Sequence, residues 1–228
     1  MALILQIETT TISCSVALSV NGNTIAVKEL AEKNAHASYL TVLVQELMIE
    51  GNKQMAELDA VAVSMGPGSY TGLRIGVSTA KGFCYALDIP LIAVNTLEAM
   101  AYGYKSSNNQ HEVFYCPMID ARRMEVYTAV YDNELTEIMP VSAKIIDEHS
   151  FSEFLLNNKL LFFGDGAMKC REVLNTGPNS IFVPGYLNSA KDMTELAFRK
   201  FNHKQFEDVA YFEPYYLKDF VTSLPKKK

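Results

Sequence analysis

The sequence predicts an α/β protein made of two copies of one order of elements, βββαβαβα. Three observations carry this. Ile12, Cys14, Val16, Leu18 and Val20 alternate with small polar or small residues, and Asn21-Gly22-Asn23 follows, so the chain opens with an antiparallel hairpin. Beyond residue 34 the apolar spacing becomes that of helices separated by short apolar strands. After a polar, turn-rich break at residues 105–110 the same order begins again.

Each element has its own local reason. Residues 3–8 form an apolar first strand, 12–20 a strand with one buried face, and 24–30 its returning partner. Asn34 is placed to cap a helix to about residue 50, with Leu40, Leu43 and Leu47 on one face and Gly51 just past the end. Residues 58–65 are rich in strand formers. Residues 72–87 have helical spacing, and 89–96 are a continuous apolar strand whose Thr96 is a candidate cap for a helix to about 104. In the second half, strands are expected at 112–119, 124–131 and 137–146. Asp147 then caps a helix to about 157. A short strand at 160–163, a helix over 166–174, a strand at 180–183 and a helix over 189–201 complete the repeat. A three-strand meander extended by parallel strands needs crossover helices, and two such units enclose a cleft. This is the duplicated architecture of actin, hexokinase and the sugar kinases, the actin-like ATPase (ribonuclease H-like) fold. The expected units are residues 1–104 and 111–228, with the last segment able to pack back on the first.

Composition narrows the function. The 228 residues are 49% hydrophobic and 20% charged, as in an ordinary globular protein, and no apolar run is long enough to span a membrane. The start of the chain has no basic leader or small-residue cleavage site, so it reads as a buried strand. Cys14, Cys84, Cys116 and Cys170 are widely separated, which argues against zinc or a disulfide framework and for a reducing cytoplasm. Net charge is −6, with −3 in residues 1–105 and −3 beyond, so neither half is a basic module that holds nucleic acid alone. The one basic run, at 225–228, reads as a solvated end.

Residues 64–76, SMGPGSYTGLRIG, carry four glycines and a proline. A Walker loop needs G-x-x-x-x-G-K-[ST]; Gly66 and Gly72 are six apart and Leu73 follows where the lysine belongs, so that pattern fails. The dinucleotide fingerprint needs glycine where Thr71 stands. A strand, a glycine turn and a helix start remain. These form either a tight turn capped by Ser69 or Thr71, or an anion site of free backbone N–H groups. Gly72, Gly76 and Ala80 recur every four residues, a small-residue face that lets another helix approach.

At this stretch the sequence resembles the TsaB (YeaZ) family. GPGSYTGLRIG is similar to that family's GPGSFTGLRIG signature. LQIETTTISCSVAL, AHASYL, AKGFCYALDIPLIAVNTLEAMA, IDARRMEVYTAVY, FFGDGA and EPYYLKDF match further family landmarks in order, across nearly the whole chain. Departures are Glu8 where Asp is frequent, His36-Ala37-Ser38 for a histidine-serine-glutamate triplet, Tyr70 for Phe, and Lys218 for a terminal Arg. The resemblance implies the actin-like fold. It also implies a part in forming N6-threonylcarbamoyladenosine beside the anticodon of tRNAs that read codons beginning with A. In that family the chain is a non-catalytic partner of the transferase subunit TsaD. It is joined by the small ATPase TsaE and self-pairs when alone. Contact with tRNA is then indirect, no cofactor is required by the chain itself, and ATP or ADP is a ligand the assembled complex could hold.

The candidate residues follow. No histidine pair among His36, His111, His149 and His203 is three or four apart, so no metal site and no catalytic residue are assigned. His36 is expected to be exposed at a helix start. The expected partner surface is His36, Tyr39, Leu40, Leu43 and Leu47 on one helix with Gly72, Arg74, Gly76 and Ala80 on the next. The candidate nucleotide or anion contacts are Glu8, Gly66, Gly68, Ser69 and Thr71, with Asp120, Arg122, Gly164 and Gly166 from the second half. A solvated Glu8 at a strand end, a polar hairpin mouth at Asp120, Arg122, Arg123 and Glu125, and a plain turn at 164–167 are the structural alternatives. An ATP-dependent kinase or hydrolase of the same fold, and a nucleotide-binding regulatory subunit, are the rival functions.

Overall fold

A computed structural model describes residues 1–32, 35–108 and 112–218. Its first sheet has the order β3-β2-β1-β4-β5, from β1 (Leu3–Glu8), β2 (Ser13–Val20), β3 (Asn23–Ala31), β4 (Ala60–Gly66) and β5 (Leu91–Asn95). Its second has the order β10-β9-β6-β7-β8, from β6 (Val113–Asp120), β7 (Glu125–Tyr131), β8 (Glu137–Ile145), β9 (Lys159–Phe163) and β10 (Ser180–Phe182). In each sheet the three meander strands pair antiparallel and the two crossover strands add in parallel. The second sheet therefore repeats the first strand for strand.

The helices are not equal copies. In the first half α1 (His36–Glu50) and α2 (Tyr70–Leu87) are full length, but their counterparts α4 (Ser152–Leu155) and α5 (Arg171–Leu174) are single turns. The long helix expected after Asp147 does not form. Asp147 instead accepts bonds from the His149 N–H at 3.0 Å and the Ser150 hydroxyl at 2.8 Å, closing a local turn that competes with helix. The helix expected over 166–174 is likewise a 3₁₀ turn followed by α5. α3 (Thr96–Ser107) is capped by Asn95, whose Oδ1 accepts from Leu97 N and Glu98 N. Thr96 is the first helical residue, and among the described residues its buried hydroxyl has no hydrogen-bond partner. Asn34, the expected cap of α1, lies outside the described residues, as do His111 and 225–228.

β2 was expected to bury one face and buries both. Cys14, Val16 and Leu18 join the core under α1 and α2. On the opposite face the hydroxyls stay satisfied, as where Ala190 N donates to Ser15 Oγ at 2.9 Å. That face is covered by a 3₁₀ turn at Ala190–Met193 leading into α6 (Thr194–Asn202). α6 belongs to the second half by sequence, yet Leu196 and Ala197 pack with Ile4, Ala62, Ile92 and Val94 of the first sheet.

Candidate functional site

The glycine stretch lies against the β1–β2 turn, Thr9–Thr11. Ser69 N donates to Thr10 O at 2.7 Å, and Thr9 Oγ1 donates to Gly72 O at 2.8 Å. A Cβ on Gly68 would meet Thr10 O at 2.6 Å, one on Gly72 would meet Thr9 O at 2.0 Å, and one on Gly76 would meet Thr9 Oγ1 at 2.2 Å. Ser69 caps α2 by accepting from Gly72 N at 3.3 Å, while Thr71 is a solvent-facing first-turn residue. Gly68 and Gly72 are therefore required by close approach of the Thr9–Thr10 backbone, and Gly76 by the Thr9 side chain.

This corrects the expected partner stripe. Gly72, Gly76 and Ala80 do share a face of α2, but that face is buried and Thr9 of the same chain fills it. Leu40, Leu43 and Leu47 are likewise core residues beneath α1. His36 is buried, not exposed, with Nε2 3.2 Å from the carbonyl of Ser13. Of the predicted interface residues only Tyr39 and Arg74 face solvent. An amphipathic pattern identifies the apolar stripe, and in a two-layer unit that stripe goes to the chain's own sheet.

Glu8 is not solvated either. Its side chain is 1% exposed and accepts from Thr10 N at 2.6 Å, from Thr10 Oγ1 at 2.5 Å and from Ser64 Oγ. Burial raises its pKa, and the hydroxyl and amide donors oppose that shift. Asn188 closes the approach from the second half, donating from Nδ2 to Thr10 Oγ1 at 3.1 Å and accepting from Thr11 Oγ1. Among the described residues no cationic side chain bonds to Glu8. Its oxygens are occupied by donors of its own chain, the opposite of a carboxylate set out to hold magnesium or take a substrate proton.

The second-half candidates gather at the β6–β7 hairpin. Asp120 Oδ1 accepts from Arg122 N at 2.8 Å and from Lys169 Nζ at 2.5 Å, while Asp120 N donates to Asp165 Oδ1 at 2.9 Å. Burial pushes the Asp165 carboxyl upward. Gly164 and Gly166 are pressed on β6: a Cβ there would sit 2.3 Å from Met118 O and 3.0 Å from Asp120 N respectively. The 164–167 turn is thus sealed against a strand. The two groups of candidates, Glu8 with the glycine turn and Asp120 with Gly164–Gly166, form separate packed turns. A segment that the site assignment missed joins them. Tyr215 N donates to Met65 O at 2.7 Å, its carbonyl blocks any Cβ on Gly66 at 2.7 Å, and Lys218 pairs with Glu125. Tyr216 packs against Tyr70 with ring centroids 4.7 Å apart and planes tilted by 34°, and Arg74 lies over Tyr70 at 4.4 Å. The strap from Gln205 to Lys218 thus binds both halves.

A family model described as tRNA N6-adenosine threonylcarbamoyltransferase (TsaD) matches residues 26–222. The chain is 31% identical to the tRNA threonylcarbamoyladenosine biosynthesis protein TsaB of Escherichia coli K12 over 237 residues, covering 99% of each chain. The chain belongs to the TsaB family. The crystal structure of YeaZ from Pseudomonas aeruginosa superposes with a TM-score of 0.82 at 24% identity, over 95% of this chain and 100% of that one. An inorganic polyphosphate/ATP-glucomannokinase from Arthrobacter sp. strain KM superposes at 0.52 with 12% identity, over 89% of this chain and 100% of that one. These likenesses place the chain in the duplicated actin-like fold and say nothing more of its chemistry.

In this TsaB-family chain the solvent side of the helical layer carries large apolar side chains: Tyr39, Val42 and Ile49 on α1, and Tyr85 on α2. Ile49 is 73% and Tyr85 85% exposed. Val42, Ile49 and Tyr85 escaped the sequence reading because they fall outside the apolar stripe. Their signal is apolar residues on the face that should be polar. Among the described residues no three His, Cys, Asp or Glu side chains converge as a metal site, and no helix is long and apolar enough to cross a membrane.

Proposed function

We propose that this chain is the non-catalytic partner of a TsaD-type transferase subunit in making N6-threonylcarbamoyladenosine next to the anticodon of tRNA. The observation that carries this is the end-to-end similarity to a curated TsaB. The partner role is supported by the sealed Glu8 and by the exposed apolar side chains of α1 and α2. α1 and α2 pack on each other, so Tyr39, Val42, Ile49 and Tyr85 belong to one helical layer with an outward side. That side pairs with TsaD in the working complex and with a second copy when the chain is alone. A TsaE-type ATPase completes the assembly, ATP or ADP is bound by the complex, and the whole works in the cytoplasm. Residues 1–104 act as the partner-binding unit and 111–228 as the second.

The test is reconstitution. TsaD, tRNA and threonylcarbamoyl-adenylate should give modified tRNA only when this chain is present, and the chain alone should turn over no nucleotide. Val42→Asp should abolish co-purification with TsaD while leaving the fold intact. Nucleotide turnover by the chain alone, lost on Glu8→Ala, would establish the kinase or hydrolase alternative instead. Nucleotide binding without turnover would mark a regulatory subunit.

A further inference from the structure

The two meander hairpins at the start of each half solve the same turn differently. At the β2–β3 tip Asn21 and Gly22 take φ of 50° and 78°. At the β6–β7 tip Arg122 and Arg123 take φ of 71° and 49°. Asn and Gly enter the left-handed region easily, whereas a long side chain with a Cβ is disfavoured there. Of the other bulky residues described in that conformation, Phe151 and Leu135 pack in the core, while Glu112 and Lys204 are single exposed positions; only at this tip are two long side chains consecutive. Arg122 and Arg123 are exposed. Their conformation is held by short links, Ala121 N to Glu125 O at 3.1 Å and Glu125 N to Arg122 O at 3.2 Å. Strain at two consecutive exposed positions points to what the side chains do.

Asp120 is paired with Lys169, Glu125 with Lys218, and Asp165 sits on Asp120 N, so the two arginines leave the tip with a net positive charge. Among the described residues no carboxylate oxygen lies within 4 Å of either guanidinium, and Asp120 reaches Arg122 only at its backbone N–H. The guanidinium fork fits phosphate oxygens in two-pronged fashion. The site is a projecting tip, not a cradle, because the neighbouring 164–167 turn is sealed onto β6. A tip suits a polymer backbone running past it better than a free nucleotide that must be enclosed.

We propose that Arg122 and Arg123 grip backbone phosphates of the tRNA while it is held by the complex. This rests on the tRNA reading above. It also places the contact of an acidic chain with RNA at one point, with no need for a broad basic face.

The test replaces Arg122→Asn and Arg123→Gly together in the full complex with TsaD. The swap relieves the backbone, so the melting temperature of the chain should hold or rise. Loss of two phosphate contacts should make the dependence of log affinity on log salt shallower by about 1.5. It should weaken tRNA binding roughly 30-fold at 0.1 M monovalent salt, with little effect near 1 M. Unchanged affinity and slope for tRNA would overturn the proposal. So would loss of ATP or ADP binding with RNA binding intact, or loss of TsaD pairing. If the wild-type complex neither bound nor modified tRNA, the functional reading itself would fall. If it did both and the double variant matched it, only this inference would.

Discussion

Gly72→Ala separates two accounts of α2, and the expected size follows from the geometry. An alanine Cβ at 72 would lie 2.0 Å from the carbonyl oxygen of Thr9, where ordinary contact is 3.4 Å or more. That atom is backbone at the end of the central strand β1, so α2 must move outward by more than 1 Å. Such overpacking costs about 1–3 kcal/mol. The displacement also loses the bond from Thr9 Oγ1 to Gly72 O, worth about 1 kcal/mol. Alanine regains about 1 kcal/mol of helix propensity over glycine. The balance is a loss of about 2 kcal/mol, or a drop in Tm of roughly 4–8 °C for a chain of this size. Gly82 lies on the same helix with nothing within 4 Å, so Gly82→Ala keeps only the propensity gain and should raise Tm by roughly 2–4 °C. Thermal melts of the isolated chain, with co-purification on TsaD as a second readout, test the pair. A Gly72→Ala variant that melts like the wild type but no longer binds TsaD would refute the inward packing and restore the stripe as a partner surface.

Three further outcomes are expected. Asp192 is a buried carboxyl whose pKa burial raises from 3.8 to about 6, against the bonds from Tyr186 OH and Ser189 N. A raised carboxyl binds its proton more tightly folded than unfolded, so its contribution to stability falls as pH rises from about 4 to about 6. Urea melts should show wild type losing ~3 kcal/mol relative to Asp192→Asn across that window, and a flat difference would contradict the burial. Tyr216→Ala removes the ring packed against Tyr70 and should cost about 0.5–1.5 kcal/mol. It should also open residues 205–218 to limited proteolysis, and continued resistance would show that the strap is held elsewhere. Ser189→Ala deletes a capping box with Asp192 and should cost about 1 kcal/mol in chemical denaturation, with no loss if the box is not formed.

How much of this was legible beforehand differs by level. The order of elements in both halves follows from local patterns: period-two alternation, an Asn-Gly turn in the first half, and apolar runs too short for helices. Helix length in the second half was not legible. Asp147 is a good cap by type, but its carboxylate is used in a local turn, a choice between two nearby donors that spacing does not reveal. The candidate site was legible as residues and not as roles. Gly66, Gly68, Gly72, Gly164 and Gly166 each lie against backbone of the same chain, and Gly76 lies against the Thr9 side chain.

By itself, then, the sequence determined the α/β class, the duplicated βββαβαβα order and the TsaB resemblance. All three reside in local pattern and in motifs that keep their spacing. The tertiary structure alone decided which face of each helix is free, that Glu8 is closed in by Thr10, Ser64 and Asn188, and that Tyr216 and Lys218 tie the halves together. Apart from the local Thr10 bonds, those facts depend on contacts between residues more than fifty and up to about 180 positions apart, and neither composition nor periodicity records which distant surface a side chain will meet.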